Sequence, residues 1–176
     1  MLRGVTPIMS VWFMSFAVPS APTFLPVSAI PIRGEDMKES LKPGIKYEHK
    51  LKVPPSKTVP ALYPESEEFV AMPEVFATGF LVGFLEWACI KAINPHLDWP
   101  REQTVGTHID ISHDAATPPG FEVTATVELI AVEGKKLVFS VEAHDGVELI
   151  SKGRHVRFVI DKEKFAARLG TKAAGV

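Results

Sequence analysis

Apolar residues crowd almost without a break over residues 76–93, where FATGFLVGFLEWACIKAI carries one acidic side chain, Glu86. The run has helix length, with Thr78 placed to cap its start and Asn94-Pro95 to stop it. Gly79 and Gly83 along it let another backbone approach closely. On either side the period changes. Residues 45–53, with Tyr47 and Leu51, predict a first strand ended by Pro54-Pro55. Residues 103–113, 121–132, 136–145 and 148–160 predict four more, arranged as a meander. In the second of these, Phe121, Val123, Ala125, Val127 and Leu129 alternate with polar residues, giving one buried and one wet face. Glu133-Gly134 and Asp145-Gly146 supply hairpin turns. Residues 58–74, with Pro60, Pro64 and Pro73 among Val59, Leu62, Tyr63, Phe69, Val70 and Met72, predict a long loop with short helical turns packed over something.

A helix that is greasy on nearly all sides cannot leave much surface in water, so the economical arrangement is one antiparallel sheet wrapped around it. The expected class is α+β, and the layout is that of the hotdog fold.

Composition narrows the rest. With 176 residues, 46% hydrophobic and 23% charged, the chain suits one globular domain. A net charge of −2, with no Lys/Arg run interleaved with aromatics, gives no reason to invoke nucleic acid. The single Cys89 excludes an intrachain disulfide and a multi-cysteine zinc site, and its place on the apolar helix marks a small core residue. No His, Asp and Glu spacing suggests a metal set. Residues 1–32 are rich in Pro, Ser and apolar side chains and loosely resemble an export signal, but Pro7 interrupts the run, which is too short to span a bilayer. A start at Met37 is the competing reading, and a cytoplasmic, non-membrane protein is expected. Residues 1–36 are thus expected to be an extension outside the fold, disordered or a mis-assigned start, residues 37–170 the domain, and residues 171–176 a disordered tail after a short helix over 161–169.

Glu86 stands among Leu85, Trp87, Ala88 and Cys89. Taking an ionised carboxylate out of water is costly unless it is paired, so its presence points to catalysis or to a buried ion pair, against a side chain that merely snorkels to the surface. Several segments add to this: VPPSKTV (53–59), LYPES (62–66), PEVFATGFLVGFLEWAC (73–89), GTHIDISHDAATPPG (106–120), VEGKKL (132–137) and AHDGVELI (143–150). Together these resemble the fluoroacetyl-CoA thioesterase family, in order, over about residues 44–165.

The resemblance implies a catalytic trio of Thr78, Glu86 and His113, with Gly106 offering a backbone group near the acyl carbonyl and Arg157 lining the site. By themselves, Thr78 reads equally as a helix cap and His113 as a structural histidine at a strand end. His49, His96, His108, His144 and His155 have no such support. The resemblance also implies a hydrophobic cover over the acyl pocket from Val59, Leu62, Phe69 and Met72, the last standing where a second gate phenylalanine is expected. Strict selectivity for a fluorinated acyl group is therefore set against a general short-acyl-CoA thioesterase.

Thr78 and Glu86 lie eight residues apart, a rise of roughly 12 Å with about 80° of rotation along a regular helix, so their side chains should not meet within one chain. If both serve one site, a homodimer with two equivalent interfacial sites follows. The expected reaction is hydrolysis of a short acyl-CoA thioester, in which the helix N-terminus at Thr78 and Gly79 faces the developing oxyanion. Glu86 either attacks the carbonyl or activates a water. Coenzyme A would be part of the substrate and no separate cofactor is expected. A non-catalytic acyl-CoA-binding module and an enoyl-thioester hydratase are the rivals.

Overall fold

Strand β1 (Lys46–Lys52) leads through two 3-10 turns, Pro55–Lys57 and Val59–Ala61, and the short helix α1 (Glu67–Val70) to helix α2 (Thr78–Ile93), in the computed structural model, which describes residues 37–175. A 3-10 turn at Asn94–His96 follows, then β2 (Glu102–Ile111), β3 (Glu122–Glu133), β4 (Lys136–His144), β5 (Leu149–Asp161) and helix α3 (Lys162–Ala173). The expectations for residues 1–36 lie outside the described residues. No helix among the described residues is long and apolar enough to cross a membrane.

All five strands form one antiparallel sheet in the order β1-β3-β4-β5-β2. The expected four-strand meander is corrected here. Only β3, β4 and β5 follow one another through hairpins, whereas β2 joins the far edge beside β5 and β1 pairs with β3. Alternation tells a strand which face is buried, not which neighbour it takes; the long connection over residues 112–121 lets β2 and β3 part company. Gly134 (φ +57°) and Gly146 (φ +92°) adopt the left-handed backbone the two hairpin turns require.

Helix α2 lies on the concave face of this sheet. Leu81, Phe84, Leu85, Ala88, Cys89, Ala92 and Ile93 are buried, against Val123, Ala125, Val127 and Leu129 of β3 and Leu137, Phe139, Val141 and Ala143 of β4. Each large apolar side chain buried in this way contributes about 1.5–3 kcal/mol before entropy is counted. The sheet covers only one side of the helix. Gly79, Gly83 and Trp87 remain exposed, so α2 is less fully enclosed than its composition predicts. Helix α3 begins on an Asp161 side chain that accepts the Glu163 and Lys164 N–H groups and runs past Leu169 to Ala173, longer than expected, with Lys172 and Ala173 favouring its last turn.

Candidate active site

The first hydrogen bond of α2 runs from the Leu81 N–H to the Ala77 carbonyl (2.9 Å), which leaves the N–H groups of Thr78, Gly79 and Phe80 without a helical acceptor. Ala77, not Thr78, is the N-cap, and no side chain caps the helix. Thr78 is the first helical residue and its hydroxyl is used otherwise: Oγ1 lies 2.8 Å from His113 Nδ1. His113 follows β2 by two residues, so the segment leaving the sheet edge reaches the helix start. Its Nε2 is buried and bonds nothing among the described residues, and burial lowers its pKa below the ordinary histidine range.

Glu86 stands two turns further along the same helix. Its side chain is 36% exposed, and Oε1 lies 3.4 Å from both Arg157 Nη1 and His155 Nε2. Arg157 and His155 face inward from alternate positions of β5 and are almost completely buried. The guanidinium is fixed from behind: Nε donates to Thr104 Oγ1 (2.9 Å), Nη2 to the Thr104 carbonyl (2.8 Å) and Nη1 to His155 Nε2 (2.9 Å). His155 Nδ1 in turn meets the His108 carbonyl oxygen at 2.9 Å. That carbonyl is presented beside a bulge in β2, where Gly106 pairs with Arg157, His108 pairs with Val156, and Thr107 is the extra residue. Burial lowers the pKa of both Arg157 and His155.

Gly106 faces this cluster. A β-carbon there would collide with Glu86 Oε1 and come within 3.1 Å of His155 Cε1, so the carboxylate occupies the space a side chain would fill. Cys89, one turn beyond, is inert: burial pushes its thiol up to about 12.

The segment between β1 and α2 closes over the helix start. Its ends are pinned by main-chain bonds, Val59 N–H to Val75 O (2.9 Å) and Ala77 N–H to Lys57 O (3.1 Å), beside a bridge between Thr58 and Phe76. Leu62 packs on Gly79, where an added β-carbon would lie 3.2 Å from both its terminal methyls. Phe69 is half-buried against Tyr63, ring centroids 5.2 Å apart, while Val59 is half-buried and Met72 is exposed. Leu62 and Phe69 thus sit in a folded cover, and Met72 faces outward at its rim.

Of the residues singled out in the sequence, Thr78 joins His113, and Glu86 joins Gly106 and Arg157. No hydrogen bond or ion pair among the described residues joins the two groups to each other. The sequence reading missed His155. Its signal was a polar side chain recurring at inward positions of β5 (Ser151, His155, Arg157) where the alternation calls for apolar ones. No group of three His, Cys, Asp or Glu among the described residues could hold a metal ion.

One curled antiparallel sheet around one long helix defines the hotdog class. The chain is accordingly similar in fold to a hot-dog-like protein from Thermanaerovibrio acidaminovorans, with a TM-score of 0.63 at 22% identity, covering 74% of this chain and 91% of that one. Residues 56–163 match the family described as FlK, fluoroacetyl-CoA-specific thioesterase. A curated fluoroacetyl-CoA thioesterase of Streptantibioticus cattleyicolor is 53% identical over 136 residues, 77% of this chain and 97% of that protein. A solved structure of a variant of the fluoroacetyl-CoA-specific thioesterase FlK, in complex with fluoroacetate and CoA, is 54% identical with a TM-score of 0.69, covering 71% of this chain and 99% of that one. The chain belongs to the FlK family of fluoroacetyl-CoA-specific thioesterases.

Proposed function

We propose that the protein hydrolyses fluoroacetyl-CoA to fluoroacetate and coenzyme A, acting as a homodimer in a cytoplasmic setting. The observation that carries the reading is the 53% identity over nearly the whole of a curated fluoroacetyl-CoA thioesterase, in a chain whose Glu86 carboxylate is held at the surface of α2 beside a side-chain-free Gly106. Thioester hydrolysis builds negative charge on the carbonyl oxygen, and the free N–H groups at the start of α2 supply donors and a favourable dipole for it. Glu86 is the residue that attacks the carbonyl or takes a proton from water. His113, orphaned at Nε2 and held at Nδ1 by Thr78, moves the proton. Coenzyme A enters as part of the substrate, and the chemistry needs no separate cofactor.

Two features favour a dimer. Thr78 and Glu86 are separated along one helix by roughly 12 Å, too far for one chain's pair to embrace one thioester carbonyl. The exposed stripe of Gly79, Gly83 and Trp87 runs along the same helix and would accept a second copy's backbone. A two-fold partner laid along this stripe brings one chain's Thr78 and His113 to the other chain's Glu86.

The test is release of free thiol from fluoroacetyl-CoA, acetyl-CoA and propionyl-CoA by the full chain. The fluorinated thioester is expected to turn over fastest, with Leu62 and Phe69 covering the acyl group and Met72 at the rim. Equal rates on all three would replace the reading by a general short-acyl-CoA thioesterase, and no turnover would favour an acyl-CoA-binding module.

Gly106→Ala gives a second expected outcome. The new methyl displaces the far end of the Glu86 side chain and presses on the buried His155 ring, which is held at both nitrogens, so stability should fall by about 1–3 kcal/mol. Activity should fall about a hundredfold, because a carboxylate moved by an ångström no longer meets the carbonyl. Thermal melting together with steady-state kinetics separates the two effects; full activity would remove Gly106 from the site.

A further inference from the structure

We infer that His155 is a positioning residue for the hydrolysis: as a neutral acceptor it holds one arm of the Arg157 guanidinium off Glu86, so the carboxylate is oriented by a single long contact and stays free to react. The inference rests on the role proposed for Glu86.

Four hydrogen bonds fix the arrangement. His155 Nδ1 faces a carbonyl oxygen, that of His108 at 2.9 Å, and so must carry the ring hydrogen. Nε2 is then the acceptor, and the Nη1 of Arg157 donates to it at 2.9 Å. Thr104 takes the Nε and Nη2 hydrogens from the opposite side. A free guanidinium beside a carboxylate closes into a paired fork at about 2.7–2.9 Å. Here the Nη1 to Oε1 distance is 3.4 Å, because the guanidinium is already held by Thr104 and His155. A doubly bonded salt bridge would favour the ionised carboxylate and lower its basicity and nucleophilicity together, which is unhelpful for a group that must attack or take a proton.

Burial and the adjacent guanidinium both disfavour the imidazolium form, which keeps the acceptor available; the bond to the His108 carbonyl and the nearby Glu86 oppose them, but the net direction is downward. The titratable groups facing Glu86 are His155 and Arg157 from β5 and Cys89 from its own helix, the last neutral because its thiol is pushed up to about 12. His108 of β2 stands behind His155.

The split between kcat and KM for fluoroacetyl-CoA, measured for the full chain, tests this. His155→Leu releases Nη1 to close on Glu86; kcat should fall about tenfold while KM stays nearly unchanged. His155→Gln, whose amide oxygen replaces Nε2 as acceptor, should restore kcat. Thr104→Val loosens the guanidinium from its other side and should lower kcat in the same way, so the inference stays exposed even if His155→Leu fails to fold. An unchanged kcat in the folded variants, a loss confined to KM, or His155→Gln behaving like His155→Leu, would overturn it. A wild type inactive on every thioester, or a fully active Glu86→Gln, would instead overturn the reading on which it rests.

Discussion

Glu86→Gln should lower kcat for fluoroacetyl-CoA about a thousandfold while leaving the fold and substrate affinity nearly intact. Glutamine has the same shape, still offers an oxygen to Arg157 and still fits the space left by Gly106. It can neither attack a thioester usefully nor accept a proton at neutral pH. Glu86 is part-exposed but Arg157 is almost completely buried, so removing the charge leaves the guanidinium without its counter-charge and should cost about 1–3 kcal/mol. A lowered but cooperative thermal transition alongside lost turnover is thus the expected pair of results, and the cooperativity excludes simple unfolding as the cause. Retained activity would show that the carboxylate serves only the Arg157 pair.

Two inactive chains should rescue each other. If each site takes Thr78 and His113 from one chain and Glu86 from its partner, Glu86→Gln mixed with His113→Ala yields heterodimers with one intact site and one doubly damaged site. With random pairing, half the dimers are heterodimers, and co-expression should restore about one quarter of wild-type activity. Sites contained within single chains would recover nothing, since every site would carry one defect. Sedimentation of the wild type at its working concentration provides the companion measurement. A monomeric mass for the active species would remove the shared site.

The helix, the five strands and both hairpins were legible because each rests on local signals. Seven closely spaced apolar positions on α2 and the strict alternation of β3 mark their elements, and Gly134 and Gly146 mark the turns. Strand order was not legible, because the pairing of β2 with β5 joins residues about fifty apart and leaves no trace in either strand's periodicity. The same gap meant that Gly106 and Arg157 entered by resemblance alone and that His155 was missed. Glu86 advertised itself as a charge in an apolar run, but its neighbours depend on the β2 and β5 register, which sets Gly106 opposite Arg157 and lets the His108 carbonyl reach His155. Thr78 was expected both as a cap and, by resemblance, as a site residue. Only the position of His113 decides where its hydroxyl goes.

The cover over the helix start is anchored by backbone atoms at both ends, through Val59, Val75, Lys57 and Ala77, and by the Thr58 bridge to Phe76. Between these anchors the chain is held by its own turns and by Ser66, whose side chain caps α1 by accepting from the Phe69 N–H. Side chains such as Phe69 and Met72 can therefore be exchanged without loosening the loop or touching Glu86, Arg157 or His155. On the proposed reading, choice of acyl group and bond cleavage fall to separate stretches of polypeptide, so the appetite of the enzyme could be altered while its chemistry is kept.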